Sequence, residues 1–490
     1  MRRLVISLLL LLAACASPAR QTPVGVATSP PTSPTPGPTA TFTPPPPAPV
    51  EPSPTPAANF SVNLHPDGNL YVGDKVSIEV LSPNGLTTKD LTVTVSADGQ
   101  EIGSQEFSPY GIAGRDQATF YWTWDTTGLQ PGPHTLHFSV LPTGPDWQQS
   151  VSLLPASDLP PSMANAHWAV AETDCCTISY ITGTEAERDI ASLKTMADTE
   201  AQDVEQRLGK TLTEKIPVVL MSRVLGHGGF TSDAIYVSYL DRNYAGSTTA
   251  QVLHHEMVHW VDGKLGGDLR PTILVEGLAV YLSGGHFKPE ALPPRAAALL
   301  DLNWYIPLRQ LTDAFYPAQH EIGYMEAGAL VQYLVETYGW QPFNDFYRDI
   351  HPQPSGKQSD ALDVALQKHF GITLDELEKQ WIAHLRTLPS DPAQVQDVTL
   401  TVQFYDTVRR YQRLFDPSAY FQTAWLPDAK PMREQGIVAD YLRHPDTPLN
   451  IYLETMLVGA DANLRAGNYS AVSQTLKTVG LMLDVLQRLQ

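Results

Sequence analysis

His255 and His259 stand four residues apart with Glu256 between them, inside the segment 247–263, STTAQVLHHEMVHWVDG. Successive helical residues turn by about 100°, so positions i and i+4 lie above one another on one face. The two imidazoles can therefore hold one ion between them if this stretch is a helix. Glu256, displaced around the axis, can then face a water on that ion without ligating it, which is where a general base belongs. Local signals agree with a helix: Ser247 and Thr248 are N-cap candidates, residues 250–261 contain neither Gly nor Pro, and Gly263 is the expected stop. His254 points about 100° away from the ligand face and reads as structural or as a support for a ligand. Asp262 is a candidate for orienting a ligand histidine.

The next segment, 270–285, reads RPTILVEGLAVYLSGG. Pro271 near its start, the apolar Ile273, Leu274, Leu278 and Leu282, and the pair Gly284 and Gly285 predict a second helix. Glu276 falls in the middle of its apolar region. A buried carboxylate is expensive unless a cation lies beside it, and a metal ion is the most economical cation here. Two histidines and one glutamate leave a fourth position open, the arrangement of a catalytic zinc, one Zn2+ per chain.

The string His-Glu-Met-Val-His at 255–259, followed by Val-Glu-Gly-Leu-Ala-Val-Tyr at 275–281, resembles the gluzincin metallopeptidases, the thermolysin and aminopeptidase N superfamily, and most closely its peptidase MA-like branch. The resemblance implies an α+β thermolysin-like domain over about 165–390 and zinc held by His255, His259 and Glu276. It also implies peptide-bond hydrolysis, with Glu256 taking the water proton and delivering it to the leaving amine. Residues 230–240 read as a strand immediately before the motif helix, and the resemblance makes it the edge strand that pairs with extended substrate, with 228–236 lining the cleft.

A further helix is expected over 323–339, its small residues Ala327, Gly328 and Ala329 allowing close packing. That helix is similar to the one that opens with the transition-state tyrosine in aminopeptidase N-type enzymes. The likeness puts the oxyanion donor on Tyr324, with His320 as the next candidate. Two departures matter. The Gly-x-Met-Glu-Asn string that holds a free amine is missing, which favours an endopeptidase or a narrow processing enzyme. The position four residues past Glu276 is Val280, where thermolysin-type enzymes carry Asp, so the surroundings of the ligands must differ.

The remainder of the chain reads as a multidomain envelope protein. Residues 1–14, with Arg2 and Arg3 before an apolar run, form a signal peptide, and Leu12-Ala13-Ala14-Cys15 is similar to a bacterial lipobox with Cys15 as the lipidated residue. Residues 15–58, rich in Pro, Thr, Ser and Ala, cannot bury a core and predict an extended linker. Over 59–155, β-rich runs at 75–81, 91–96, 118–124 and 134–140 alternate with turns, the pattern of an all-β immunoglobulin-like sandwich. A long helix over 186–208 and a strand over 216–221 begin the scaffold that carries the motif, Thr373 caps a helix from Leu374, and 391–490 is a helical C-terminal region with helices near 395–415, 448–466 and 469–489.

Cys175 and Cys176 are adjacent, and two thiols, or pairing outside the chain, are expected ahead of a strained vicinal disulfide. A net charge of −20 argues against nucleic acid as a partner. The expected partners are a peptide or protein substrate and a membrane reached through Cys15, with the chain lipid-anchored outside the cytoplasm. The alternatives are a non-catalytic binding or scaffold lipoprotein with a vestigial peptidase fold, or a solute-binding lipoprotein. The intact His255, Glu256, His259 and Glu276 favour the enzyme.

Overall fold

The structure, a computed structural model, describes residues 60–488 apart from 84, 111–114, 227, 390, 417–418 and 420–428. The expected signal peptide, lipidation residue Cys15 and linker lie outside the described residues.

Residues 61–154 form two sheets closed on one core. The first sheet runs Ser61–His65, Lys75–Leu81, Arg115–Asp125 and Ser108–Tyr110 in spatial order; the second runs Leu70–Tyr71, Asp146–Leu154, Gly132–Leu141, Thr92–Ala97 and Gln100–Glu106. Alternate residues point inward, as a period of two requires. Val76, Ile78, Val80 and Phe120 from one sheet meet Val93, Val95, Leu136 and Phe138 from the other. The expected run 75–81 is the strand Lys75–Leu81, and 91–96 appears one residue later as Thr92–Ala97. Gln100–Glu106 and Asp146–Leu154 escaped the sequence reading because they are largely polar, QEIGSQE and DWQQSVSLL, and half exposed.

A second body begins with a five-stranded sheet, in the order Trp168–Glu172, Cys176–Ile181, Ile216–Met221, Ile235–Ser238, Gly229–Thr231. The three central strands are parallel neighbours and the two outer pairings are antiparallel. Both faces are covered, as parallel strands demand. Ile178, Val218, Leu220, Ile235 and Val237 pack on the helices Ile190–Leu208 and Thr249–Leu265, while Val219, Met221, Phe230 and Tyr236 on the opposite face pack on Met432, Ile437 and Tyr441. The C-terminal region thus supplies the second cover of the sheet. Its helices Pro392–Phe415, Pro448–Arg465 and Tyr469–Gln487 share a core of their own through Phe404, Val408, Leu457, Leu464, Val472 and Leu483. Among the described residues no helix is long and apolar enough to cross a membrane.

Three expectations are corrected. The helix over 186–208 breaks at Asp189 into Glu185–Arg188 and Ile190–Leu208. Asp189 instead takes hydrogen bonds from the side chains of Arg188 and Tyr239. The single strand over 230–240 is a hairpin, because the polar Ser232-Asp233 pair makes a turn in which Ser232 N–H donates to the Ala234 carbonyl at 2.9 Å. Cys175 and Cys176 are joined to each other rather than being two thiols. Their backbone is pinned where they turn into a strand: Cys175 N–H donates to Asp198 at 2.9 Å and Cys176 N–H to Thr173 Oγ1 at 2.8 Å.

Candidate metal centre and its cleft

The motif helix spans Thr249–Leu265. Thr248 is its N-cap, with Oγ1 accepting from Gln251 N–H at 3.3 Å. Gly263 does not stop it; the helix runs on to Gly266, whose φ of +80° ends the turn. The last turn is held by buried Asp262, which accepts from Arg270 Nη1 at 2.8 Å, from Tyr347 Oη at 3.0 Å and from Arg348 Nη2. Asp262 is therefore a tie between elements, and its charge also acts on His259. His254 lies on another face, where its Nδ1 meets Glu200 at 2.8 Å, as a structural residue should.

The helix carrying Glu276 spans Thr272–Leu282 and packs against the helix His320–Tyr338, which begins three residues before the expected 323. Glycines make this contact close. A Cβ on Gly277 would sit 2.5 Å from the Ala327 carbonyl oxygen, and one on Gly328 would sit 2.4 Å from Val280. The small residues read from the sequence have this purpose.

The two helices bring His255, His259 and Glu276 together. The two Nε2 atoms lie 3.0 Å apart, and Glu276 Oε2 is 3.4 Å from His255 Nε2 and 3.2 Å from His259 Nε2. Ligand atoms at about 2.0–2.1 Å from a tetrahedral zinc are separated by roughly 3.3 Å, so the three edges fit such an ion. Two imidazole lone pairs and a carboxylate facing one another also require a cation between them. Burial holds the His255 imidazole down to about 4; burial also opposes charge on His259, but the Glu276 carboxylate outweighs it and raises His259 to about 9. Glu276 itself, although burial opposes its charge, is held well below the usual carboxylate range by the two imidazoles.

Glu256 stands apart from this group of ligands. Its Oε2 accepts from Thr231 Oγ1 at 2.8 Å, and burial raises the carboxyl to about 7 against the opposing pull of His259 and Thr231. Thr231 belongs to the sheet-edge strand Gly229–Thr231, which approaches the motif helix so closely that a Cβ on Gly229 would meet Val252 at 2.7 Å and Tyr236 O at 2.8 Å.

A cavity of about 1710 Å³ opens over the site, lined by 229–233 of that strand and turn, the three ligands, Glu256, Tyr316, Tyr324, His286 and His320. Of the segment expected at 228–236, residues 229–233 reach the cavity wall, whereas Tyr236 is buried behind it. Tyr324 is on the wall, its ring 6.2 Å from the His255 ring and stacked on His286 at 4.2 Å.

Tyr316, His286 and Glu321 carry no signal of their own in the sequence, and Thr231 is legible there only as part of the cleft-lining segment 228–236. Tyr316, exposed at the cavity mouth, donates its hydroxyl to Glu276 Oε1 at 2.8 Å. His286 sits just past the Gly284-Gly285 turn, and its Nδ1 is hydrogen-bonded to buried Glu321. Thr231 holds Glu256, as above. None belongs to a periodic pattern or a spaced motif; the glycine pair before His286 is the one local signal, and by itself it marks only a helix end.

No protein-family model matches the chain, and a search of curated proteins finds no match. Among solved structures, the chain is similar to the M1 zinc metallopeptidase from Deinococcus radiodurans, at 13% identity over 68% of this chain and 95% of that one, with a TM-score of 0.30. A mutant of the same enzyme aligns at 13% identity over the same shares with a TM-score of 0.31. An aminopeptidase N family protein from Idiomarina loihiensis aligns at 10% identity over 66% of this chain and 76% of that one, with a TM-score of 0.28. At these scores the likeness adds no weight, and the reading of the site rests on its own residues.

Proposed function

We propose that the chain is a zinc-dependent peptidase of the gluzincin type that hydrolyses peptide bonds within extended segments of a peptide or protein. The observation that carries the proposal is the convergence of His255 Nε2, His259 Nε2 and Glu276 Oε2 at 3.0–3.4 Å, with the Glu256 carboxylate buried beside them but turned to Thr231. Zn2+ held by these three side chains would polarise a carbonyl and bring a water's pKa toward neutrality. Glu256 accepts the proton of the attacking water and returns it to the leaving amine. Thr231 fixes the carboxylate for both transfers. Tyr324 donates its hydroxyl to the developing oxyanion from the cavity wall.

The free edge of Gly229–Thr231 beside the cavity suits a substrate that adds as a further strand. At about 1710 Å³ the cavity exceeds the roughly 300–1,000 Å³ of small-molecule pockets and has room for an extended peptide segment. Residues 61–154 serve as an immunoglobulin-like spacer. Cys15 and the linker after it tether the enzyme, outside the cytoplasm, to a bacterial membrane or the cell surface.

The test is cleavage of a quenched fluorescent peptide with blocked ends, compared with a free aminoacyl amide. Chelator-sensitive hydrolysis of the blocked peptide, restored by Zn2+, supports the reading. Zinc binding without cleavage of any unstructured protein returns the weight to a binding lipoprotein, and cleavage confined to the aminoacyl amide replaces the endopeptidase with an aminopeptidase.

A further inference from the structure

We infer that His286, His320 and Glu321 form a second metal site, for a borderline divalent cation such as Zn2+, in the wall of the same cavity. One ligand atom from each residue lies within 4.8 Å of the others. A modest side-chain adjustment brings them to the roughly 3.3 Å separations around a tetrahedral ion, and two imidazoles with one carboxylate are a donor set that zinc accepts.

The group is built rather than incidental. Glu321 is fully buried, and while one of its oxygens takes the His286 ring, Oε2 has no hydrogen-bond partner. It lies in the first turn of the helix His320–Tyr338, where the helix dipole favours the ionised carboxylate that a metal needs. The His286 ring is held in plane by stacking on Tyr324 with an interplanar angle of 16°, and it lies 5.0 Å from the His320 ring, centroid to centroid. Both imidazoles line the cavity, so an ion has a path in. The His286 ring is 6.0 Å from that of His255, which makes the two sites neighbours on one cleft.

The second ion binds more weakly than the first. Its entry must open the His286–Glu321 hydrogen bond, and the same helix N-terminus that favours the carboxylate repels a cation. The assignment goes beyond the peptidase reading and does not depend on it, because the measurement is of bound metal.

The full chain, stripped with chelator, is titrated with Zn2+ and the saturable stoichiometry is read by equilibrium dialysis with elemental analysis; Co2+ absorption gives a second readout. Two ions per chain are expected, the weaker released first by a competing chelator. Glu321→Gln and His320→Ala each reduce the count to one, and Glu276→Ala retains one, that of the second site. Saturation at one ion in the unaltered chain overturns the inference, as does a second ion that survives both Glu321→Gln and His320→Ala. If those two variants fail to fold, as thermal melting would reveal, His286→Gln takes their place, and a second ion that survives it overturns the inference. Two ions without hydrolysis would sink the peptidase reading alone; one ion with hydrolysis intact would sink the second site alone.

Discussion

Glu256 and the three ligands His255, His259 and Glu276 divide the work, and the division can be separated by mutation. Glu256→Gln keeps the shape and the Thr231 contact but cannot take a proton, so kcat should fall by about 10²–10⁴-fold with the zinc content unchanged. Tyr316→Phe removes the hydroxyl that holds the outer oxygen of Glu276. Loss of such a support should weaken zinc retention about 10-fold, measured by chelator competition, with less effect on kcat of the metal-loaded protein.

A third residue-scale prediction concerns Glu326, fully buried on the same helix as Tyr324. One oxygen accepts from Ile306 N–H at 2.7 Å and the other has no hydrogen-bond partner. Burial raises its carboxyl well above the ordinary value, Ile306 opposing and Glu378 adding to the shift. A folded-state value above the unfolded one means a contribution that is fully present below about pH 4.5 and lost as pH rises through the folded value. Glu326→Gln should therefore raise the melting temperature at pH 8, and the difference should shrink as the pH approaches 4.5.

Among the elements, the decisive contact is between the helices Thr272–Leu282 and His320–Tyr338. It places Glu276 at the metal centre, and Gly277 and Gly328 set its closeness. Gly277→Ala drives a methyl into the Ala327 carbonyl, a backbone atom that cannot rotate away. Overpacking of this kind costs about 1–3 kcal/mol, which denaturant unfolding would register, and the displaced Glu276 should lower zinc affinity in parallel. The sequence reading of 327–329 as a close-packing patch is borne out, although not which partner it served. Nothing local in a stretch of small residues names the surface that will press on it.

For the molecule as a whole, the C-terminal region fastens the pieces together. It covers the second face of the five-stranded sheet through Met432, Ile437 and Tyr441, and it reaches the N-terminal two-sheet body through Arg443, whose guanidinium holds Asp74 at 2.5 and 2.9 Å and the Asn69 carbonyl at 3.1 Å. Both ions of this pair are nearly buried. Arg443→Ala would leave Asp74 unpaired out of water, at a cost of about 3–5 kcal/mol in unfolding free energy by denaturant, whereas the pair of changes Arg443→Met and Asp74→Leu should recover most of it. If the single variant were no less stable than the native chain, the joint would rest on apolar packing alone.

The sequence by itself determined whatever depends on spacing along one element. A four-residue interval put His255 and His259 on one helical face, Thr248 marked where that helix begins, and an acidic residue in an apolar helix marked Glu276 as the third ligand. Strands rich in apolar residues, such as Lys75–Leu81 and Ile216–Met221, were legible too, and nearly every residue in them is buried. Tertiary structure decided what depends on distance through space. Thr231 reaches Glu256 across 25 residues, Tyr316 reaches Glu276 across 40 and Glu321 reaches His286 across 35, and a side chain in a loop or at a helix end carries no period that announces its partner. The continuation of the motif helix through Gly263 was likewise settled from outside it, by Arg270, Tyr347 and Arg348 converging on Asp262, because contacts of that strength outweigh a glycine's roughly 1 kcal/mol preference against the helix.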